Sequence, residues 1–260
     1  MSRPQPVPAT PALDAFLARA HAEPTVLGLV LSGSQVHDGM PTGTSDHDLH
    51  VVVAPDAADW ITASDGFRSA ELDLVVMTLD EFRRRGHPGD GWEWARYAYV
   101  HARVLLDRLG GGIGEILDRK RRLTPDERAS ATDGYLDAYT NQTYRSLKSF
   151  RDGRPEAGRW DAAESVPLLW SALFALHGRV RPYNKYLRWE LTRQPLGAGR
   201  WAVDPLLATG RRLLTTGDPA LQREVFGAVE ELARAAGHGA VLDSWGADLT
   251  LLRPPGAAPA

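Results

Sequence analysis

The 260-residue chain contains no cysteine. This absence excludes disulfide bonds, thiolate metal sites and a cysteine nucleophile. The sequence also lacks an apolar run of the roughly 20 residues that a membrane-spanning helix needs, and its N-terminus lacks the apolar segment of a signal peptide. These absences predict a cytoplasmic protein that does not enter a membrane and whose chemistry relies on carboxylates, histidine, lysine or hydroxyl groups.

The chain has no excess of positive charge. Its 30 Lys and Arg residues face 33 Asp and Glu residues, which gives a formal net charge of −3 and disfavours binding to a long nucleic acid. The charge is unevenly distributed, because residues 141–200 carry eleven basic and five acidic residues. This basic stretch is either a solvated face or, opposite an acidic sheet domain, part of a site for a metal-bound polyanion.

Hydrophobic patterning divides the chain into two halves. After a helix predicted over residues 10–21, the pattern changes to strand-like runs rich in Val and Leu. These runs are Val26–Ser34, Asp48–Pro55, Glu71–Thr78 and Ala102–Asp107. Helices are then predicted over residues 126–151, 161–179, 182–193, 204–214 and 218–236.

The predicted fold class is therefore α+β. A small mixed β-sheet domain is expected over residues 10–123, followed by an all-α helical bundle domain over residues 124–252. The Pro-rich segments 1–9 and 253–260 are predicted to be flexible tails, because they contain little apolar surface to bury.

Two aspartates open the second strand-like run. Asp46 and Asp48 are two residues apart, so a strand places both carboxylates on the same face. Two like charges so close are unfavourable without a cation between them, and a divalent cation with oxygen ligands, most simply Mg²⁺, supplies that charge. The alternative is an ordinary turn, because a Thr-Ser-Asp-His-Asp sequence is also typical of turns.

A third aspartate, Asp73, lies in the next strand-like run, where an unpaired carboxylate is costly to bury. If that strand lies beside the one that carries Asp48, Asp73 completes a three-carboxylate cluster, which a turn alone does not explain. The third carboxylate would be a metal ligand or would accept a proton from an attacking hydroxyl. Gly33 and Ser34, at the end of the first run, predict a turn that binds phosphate.

The order of these residues resembles the nucleotidyltransferase superfamily typified by DNA polymerase beta and the antibiotic nucleotidyltransferases. Its pattern is Gly-Gly or Gly-Ser after a hydrophobic strand, a spacer, Asp-x-Asp and a later carboxylate on a strand. Here Gly33-Ser34, eleven intervening residues, Asp46-His47-Asp48 and Asp73 follow that order. The resemblance implies that the three aspartates hold Mg²⁺ against the triphosphate of ATP, and that Gly33-Ser34 and Ser45 contribute to nucleotide binding.

A second segment, in the helical half, resembles aminoglycoside-adenylyltransferase-like proteins, in which a Pro-aromatic-x-Lys element of a helical domain closes over the nucleotide. The match here is Pro182–Lys185. It implies that Lys185 pairs with the triphosphate and that Tyr183 stacks on or hydrogen-bonds to the nucleotide. Arg179 and Arg181 are further triphosphate candidates, with a plain cationic helix start as the alternative for both.

The remaining candidates depend on residue type and position. Lys148 is either a second phosphate ligand or part of the exposed face of a helix. Glu164 is a candidate to bind a cationic acceptor or to assist as a base. The alternative is a structural carboxylate, which is favoured near a helix N-terminus. Trp92, Glu93 and Trp94, in a predicted loop before the last strand, are candidates for acceptor binding, because aromatic and acidic side chains suit a polyamine sugar.

Together these patterns predict a Mg²⁺-dependent nucleotidyltransferase that transfers AMP from ATP to a hydroxyl group of a small molecule and releases pyrophosphate. The resemblance implies aminoglycosides or lincosamides as acceptors only as a class. Adenylylation of a partner protein, as in minimal nucleotidyltransferase antitoxins, and non-catalytic nucleotide binding are the alternatives. The acceptor, the base preference and the oligomeric state, including a homodimer that shares its active site, are not determined by the sequence.

Overall fold

The computed structural model of the protein describes residues 10–256. The chain forms two compact units, which divide between Arg122 and Leu123. The first contains a mixed β-sheet with helices, and the second is helical, so the predicted α+β class is confirmed. The predicted tail at residues 1–9 and the last four residues, 257–260, lie outside the described residues.

The first unit, the sheet unit, contains four strands within the described residues. They are β1 (Val26–Ser32), β2 (His47–Val53), β3 (Leu72–Thr78) and β4 (Arg103–Asp107). The order in the sheet is β3-β2-β1-β4. β1 pairs antiparallel with β2 and β4, whereas β2 pairs parallel with β3. Each predicted strand-like run coincides with one of these strands to within two residues at either end.

The central strands are buried on both faces. Leu31 and Val51 belong to one apolar cluster, whereas Val30 and Val52 belong to a second cluster on the other side. A strand covered on both faces needs apolar side chains at consecutive positions, which explains the nearly unbroken apolar run of β1 and the three consecutive valines, Val51–Val53, of β2.

Helices flank this sheet. In the described part of the unit they are α1 (Pro11–Ala22), α2 (Asp59–Thr62), α3 (Leu79–Arg84) and α4 (Gly112–Lys120). α1 begins after Thr10, whose side chain accepts the Leu13 N–H, close to its predicted start. α3 was not predicted, although Thr78 and Glu81 form the capping box that starts it. Part of the predicted loop is likewise a 3₁₀ helix, Glu93–Tyr99.

The second unit, the helical unit, begins at Leu123. Its helices among the described residues are α5 (Pro125–Arg151), α6 (Pro155–Leu176), α7 (Leu187–Arg193), α8 (Val203–Thr216), α9 (Pro219–Ala235), α10 (Gly239–Asp243) and α11 (Leu249–Leu252). One apolar cluster fills the core of this unit. No helix in the described part of the chain is both long enough and apolar enough to cross a membrane.

Two predicted helices have different bounds in the structure. α6 begins at Pro155 and not at residue 161, because Gly and Pro residues that suggested a loop are part of the helix. Proline is tolerated in the first turn, where its missing N–H has no helical acceptor. Gly158 lets α6 approach α5, since a Cβ there would overlap the Phe150 ring. The helix predicted over 182–193 is a 3₁₀ turn, Asn184–Tyr186, followed by α7.

The segment predicted as a C-terminal flexible tail begins with an anchored residue. The Arg253 guanidinium donates two hydrogen bonds to the Glu230 carboxylate, at 2.6 and 3.0 Å. The next residue, Pro254, packs close to Gly227 of α9. The chain is therefore attached to α9 at least as far as Pro254, because an arginine with a buried carboxylate partner can anchor a Pro-rich segment.

Candidate metal centre

Three aspartates meet at one end of the sheet. Asp46 directly precedes β2, and Asp48 is the second residue of that strand. Asp73 is the second residue of β3, and the parallel register pairs it with Asp48. One carboxylate oxygen from each aspartate lies within 4.8 Å of the other two, and all three residues are half-buried. The structure thus brings together the three carboxylates that the sequence singled out.

Gly33 packs directly against this cluster. It follows β1, whose last residue, Ser32, pairs with Asp48 in the antiparallel register, and it begins a short 3₁₀ helix, Gly33–Val36. Its φ of +69° is in the left-handed region that favours glycine. A Cβ at this position would overlap the Asp48 carboxylate. Both the backbone conformation and the space available therefore require glycine beside the cluster.

Ser34 and Ser45, predicted to contact the nucleotide, have different surroundings. Ser34 follows Gly33 in the 3₁₀ helix and is almost fully buried. The Ser45 hydroxyl accepts a hydrogen bond from the Thr42 N–H at 2.9 Å and therefore braces the loop that leads to the aspartates. Ser34 directly follows Gly33, and Ser45 directly precedes Asp46. Their contact with a nucleotide stays a prediction.

Two side chains that sequence reasoning missed hold this end of the sheet together. Gln35 Nε2 donates to two carbonyl groups in the loop before β2, at 3.3 and 3.2 Å, the second being that of Asp46. His37 Nδ1 donates to the Gly33 carbonyl at 2.7 Å, and His37 Nε2 lies 3.1 Å from the Tyr97 hydroxyl. Both side chains donate to backbone carbonyls, which every residue has. No short sequence motif therefore indicates the role of Gln35 or His37.

β2 carries two histidines, His47 and His50, whose ring nitrogens contact neighbouring segments of the chain. His47 is buried, and its Nδ1 donates to the Glu71 carbonyl at 3.0 Å. His50 lies two residues after Asp48, and its Nε2 is 3.1 Å from the Ser32 hydroxyl. Burial, together with the positive charges of Arg85 and Lys120, lowers the pKa of His50 to about 4. His50 is thus a neutral side chain at neutral pH.

The chemistry of the donor set suits a hard divalent cation. Three carboxylates this close repel one another, and a cation that binds oxygen relieves that repulsion. Arg68 Nε lies 3.8 Å from Asp73 Oδ2. The Arg68 side chain is 82% exposed, so solvent screens most of its effect. Asp46, Asp48 and Asp73 are therefore the residues that fit a Mg²⁺ ion.

Comparison with known proteins finds matches among solved structures. No protein-family model and no curated protein matches the sequence significantly. Among solved structures, the chain is similar to a nucleotidyltransferase-like protein from Exiguobacterium sibiricum 255-15, with a TM-score of 0.49 and 13% sequence identity. The match covers 90% of this chain and 78% of that protein. A likeness this distant decides nothing about function, which has to be inferred from the residues of the chain itself.

Trp92 lines a separate depression of about 430 Å³, which none of the three aspartates lines, and Glu93 is the next residue in the sequence. The Arg85 guanidinium stacks over the Trp92 ring at 4.6 Å. Glu93 Oε1 accepts the Gly89 N–H at 2.7 Å, and hydrogen bonds from backbone N–H groups lower the pKa of Glu93. Glu93 therefore braces its own loop, and a role of either residue in acceptor binding stays a prediction.

Lys148 and Glu164 share a depression of about 390 Å³ in the helical unit. Trp160 and Asp161 also line it, and the Trp160 side chain is largely exposed. Gln142 Nε2 donates to Asp161 Oδ1 at 2.9 Å and to Glu164 Oε2 at 2.7 Å, so it holds the two carboxylates side by side. Two adjacent carboxylates disfavour a triphosphate, which favours the interpretation of Lys148 as an exposed helix residue.

The candidate residues in and near Pro182–Lys185 have different surroundings. Lys185 is exposed, and its Nζ lies 5.3 Å from the centre of the Tyr186 ring. Arg179 donates to Glu190 Oε2 at 3.0 Å, and both side chains are largely buried, so Arg179 has a structural role. For Tyr183 and Lys185, nucleotide binding depends on the resemblance alone and stays a prediction.

Proposed function

We propose that the protein is a nucleotidyltransferase that uses Mg²⁺ and transfers AMP from ATP to a hydroxyl group of a small molecule. The observation that carries this proposal is the convergence of the three aspartates, with carboxylate oxygens within 4.8 Å of one another, beside the turn at Gly33. Oxygen ligands alone suit Mg²⁺, and substrate phosphates usually complete its coordination.

Each residue of the site has a definable task in this reaction. When bound, Mg²⁺ would neutralise charge on the triphosphate and lower the barrier to attack at the α-phosphorus. Asp46 and Asp48 would hold the ion, and Asp73 would complete its ligands or accept the proton of the acceptor hydroxyl. The acceptor oxygen bonds to the α-phosphorus while the bond to the bridging oxygen breaks, so pyrophosphate leaves with that electron pair. Gly33 and Ser34 would orient the phosphates.

The depression that contains Glu164 supports an acceptor that carries amino groups. Its exposed Trp160 offers an aromatic face, and Glu164 offers a carboxylate next to Asp161, which itself lies 3.7 Å from Arg145. An amino sugar combines an apolar ring face with cationic groups and therefore suits this surface. We expect Glu164→Gln to raise the KM for an aminated acceptor and to leave kcat and the KM for ATP unchanged.

The test is a transfer assay on the full chain. The protein is incubated with ATP, Mg²⁺ and pooled aminoglycosides, lincosamides and simple sugars, while pyrophosphate release and AMP adducts are followed by mass detection. Asp46→Asn should lower turnover at least about a hundredfold. It should leave thermal unfolding nearly unchanged, because it removes one of several repelling charges. The matched control is Asp56→Asn, an exposed aspartate of the same unit outside the cluster.

The outcomes of this assay are distinct. An AMP adduct identifies both the reaction and the class of acceptor. Wild-type turnover in Asp46→Asn would show that the metal assignment is wrong. Mg-ATP binding without any adduct would point to a protein acceptor, as in the alternative of partner adenylylation. The absence of both Mg-ATP binding and pyrophosphate release would refute the proposal.

A further inference from the structure

A depression of about 400 Å³ lies in the helical unit, among residues of α6, α7 and α8 and the segment before α7. Most of its lining is apolar and includes Val166, Trp170, Leu187 and Leu207. This volume is within the range of pockets that hold small organic ligands. The depression is separate from the three-aspartate cluster and from the depression that contains Glu164, since it shares no lining residue with either.

Gly210 gives this depression its apolar floor. A Cβ on Gly210 would overlap the six-membered ring of Trp170, so the absence of a side chain lets the indole lie against the backbone of α8. Leu214, one helical turn further along α8, also lines the depression and leaves 54% of its surface exposed. A flat indole beside an exposed leucine is a surface that an aromatic or aliphatic group would cover favourably.

The charges around this apolar floor are all positive. Three arginines, Arg181, Arg188 and Arg211, line the depression, and no carboxylate of the described residues does. Arg188 is neutralised by Asp204, with 2.7 Å between Nη1 and Oδ1.

The other two arginines keep their charge uncompensated. Arg181 bonds to the neutral side chain of Asn184, with Nη2 donating to Oδ1 at 2.9 Å. Its Nε is buried without a hydrogen-bond partner among the described residues, and burial lowers the pKa of Arg181. Arg211 is exposed, and no carboxylate in the described part of the chain pairs with it. Two unpaired guanidinium groups beside an apolar floor make an anion the complementary ligand.

We propose that this depression binds a small carboxylic acid, whose apolar body lies on Trp170 and Leu214 and whose carboxylate pairs with Arg181 and Arg211. A guanidinium group matches the planar carboxylate geometry, and its weak hydration suits a partly apolar site. A singly charged carboxylate is favoured over a phosphate dianion, because the apolar lining makes removal of water from a second charge costly. This proposal assigns Arg181, one of the triphosphate candidates of the sequence, to the carboxylate instead, and its test does not depend on nucleotidyl transfer.

The ligand class is tested by calorimetric titration of the full chain with three probes of the same shape. These are 4-phenylbutyrate, 4-phenylbutanamide and 4-phenylbutylamine, which differ in the charge of one end. We expect the acid to bind with a Kd below about 1 mM, and the amide and the amine to bind at least about tenfold more weakly. Equal affinity for acid and amide would show a merely apolar surface and overturn the proposal. So would the absence of acid binding at about 5 mM.

Variants of exposed residues locate the site. Arg211→Gln should weaken binding of 4-phenylbutyrate at least about tenfold, because it removes one of the two unpaired charges. Arg211→Glu should reverse the preference, so that the amine binds more tightly than the acid. The control is Arg159→Gln, an exposed arginine of α6 outside the depression, which should bind the acid like the wild type. Wild-type affinity in Arg211→Gln, with a wild-type circular dichroism spectrum, would place the acid elsewhere and overturn the proposal.

Discussion

Buried charges have different tasks in the sheet unit and in the helical unit. In the sheet unit, the Lys120 side chain is completely buried, and its Nζ donates to the carbonyls of Arg83 and Arg85 at 3.1 and 2.7 Å. Arg96, also buried, donates to three carbonyls between residues 119 and 122, at distances of 2.8 to 3.2 Å. In the described part of the helical unit, the buried charged residues are instead carboxylates, Glu190 and Glu230, which pair with Arg179 and Arg253.

The difference lies in the groups that these buried charges bind. The carbonyls that Lys120 and Arg96 bind lie at or just after the C-terminal ends of α3 and α4. A helix leaves its last carbonyls without an N–H partner, and a buried cation with several donors satisfies them. In the helical unit, arginine side chains instead satisfy buried carboxylates, because a buried charge is costly without a partner.

The largest effect that we expect is on the apolar core of the helical unit. The Phe226 ring is buried and stacks on Tyr139 with 6.3 Å between ring centres. Phe226→Ala should lower the free energy of unfolding by about 3–5 kcal/mol, because it removes apolar contacts and leaves a cavity. Urea denaturation measures this loss. Trp160→Ala, at an exposed aromatic of the same unit, should change stability by less than about 0.5 kcal/mol. Similar losses in the two variants would contradict an apolar core that stabilises this unit.

The next effect tests the buried cation of the sheet unit. Lys120→Met keeps a side chain of similar length but removes the donors for two carbonyls, and we expect a loss of about 2–3 kcal/mol. Hydrogen exchange should accelerate in the segment after β3, where those carbonyls lie. Lys185→Met, at an exposed lysine, is the matched control. A Lys120→Met protein as stable as the wild type would remove the distinction between the two units.

A third prediction separates backbone strain from side-chain overlap at the candidate site. Gly33→Ala should lower turnover about a hundredfold, because the new Cβ displaces the Asp48 carboxylate from the cluster. Gly39 has a comparable positive φ of +78° but open space around a Cβ. Gly39→Ala should therefore cost about 1 kcal/mol of stability and leave turnover intact. Equal turnover in the two variants would show that the contact between Gly33 and Asp48 has no functional effect.

The smallest effect concerns an ion pair of the helical unit. Burial raises the pKa of Glu230, but hydrogen bonds and charges from Arg253 and Arg234 outweigh it, and the pKa lies below its ordinary value of 4.5. The stabilisation is therefore complete above about pH 4.5 and is lost as the pH falls through the folded-state pKa. Glu230→Gln should cost about 1 kcal/mol at pH 7 and less at acidic pH, as measured by urea denaturation.

The control for this pair is a carboxylate that solvent screens. Glu224 lies 3.3 Å from Arg200, and its side chain is 61% exposed. Glu224→Gln should leave stability unchanged at both pH values, because exposed ion pairs contribute little. If Glu230→Gln behaved like Glu224→Gln, the pairing with Arg253 would contribute nothing to the anchoring of the C-terminal segment.

The strands and the aspartate cluster follow from local pattern. Continuous apolar runs mark buried strands, and the two-residue repeat of a strand puts Asp46 and Asp48 on one face. The place of Asp73 beside them required only that β3 lie beside β2, which the sequence stated as a condition and the observed pairing of the two strands satisfies. These features are predictable because short-range geometry decides them.

The burial of the cations and the hydrogen bonds of Gln35 and His37 were not predictable from local sequence pattern. Lys120 lies in a run of basic residues, which is typical of a solvated surface, and its burial depends on carbonyls far away in sequence. Gln35 and His37 likewise act on backbone groups of other segments. In the helical unit, the pairing of α5 with α6 puts Glu164 into the same depression as Lys148, and helical spacing alone does not specify that neighbour.

We expect the parallel pairing of β2 with β3 to set the order in which the chain acquires its cluster. Asp48 pairs with Ser32 of an antiparallel neighbour, whereas Asp73 joins the cluster through the crossover to a parallel strand, so we expect Asp73 to join last. That last step brings a third negative charge to two others. Refolding of the sheet unit should therefore accelerate with millimolar divalent cations, which makes the rate of folding itself a reporter of ion binding.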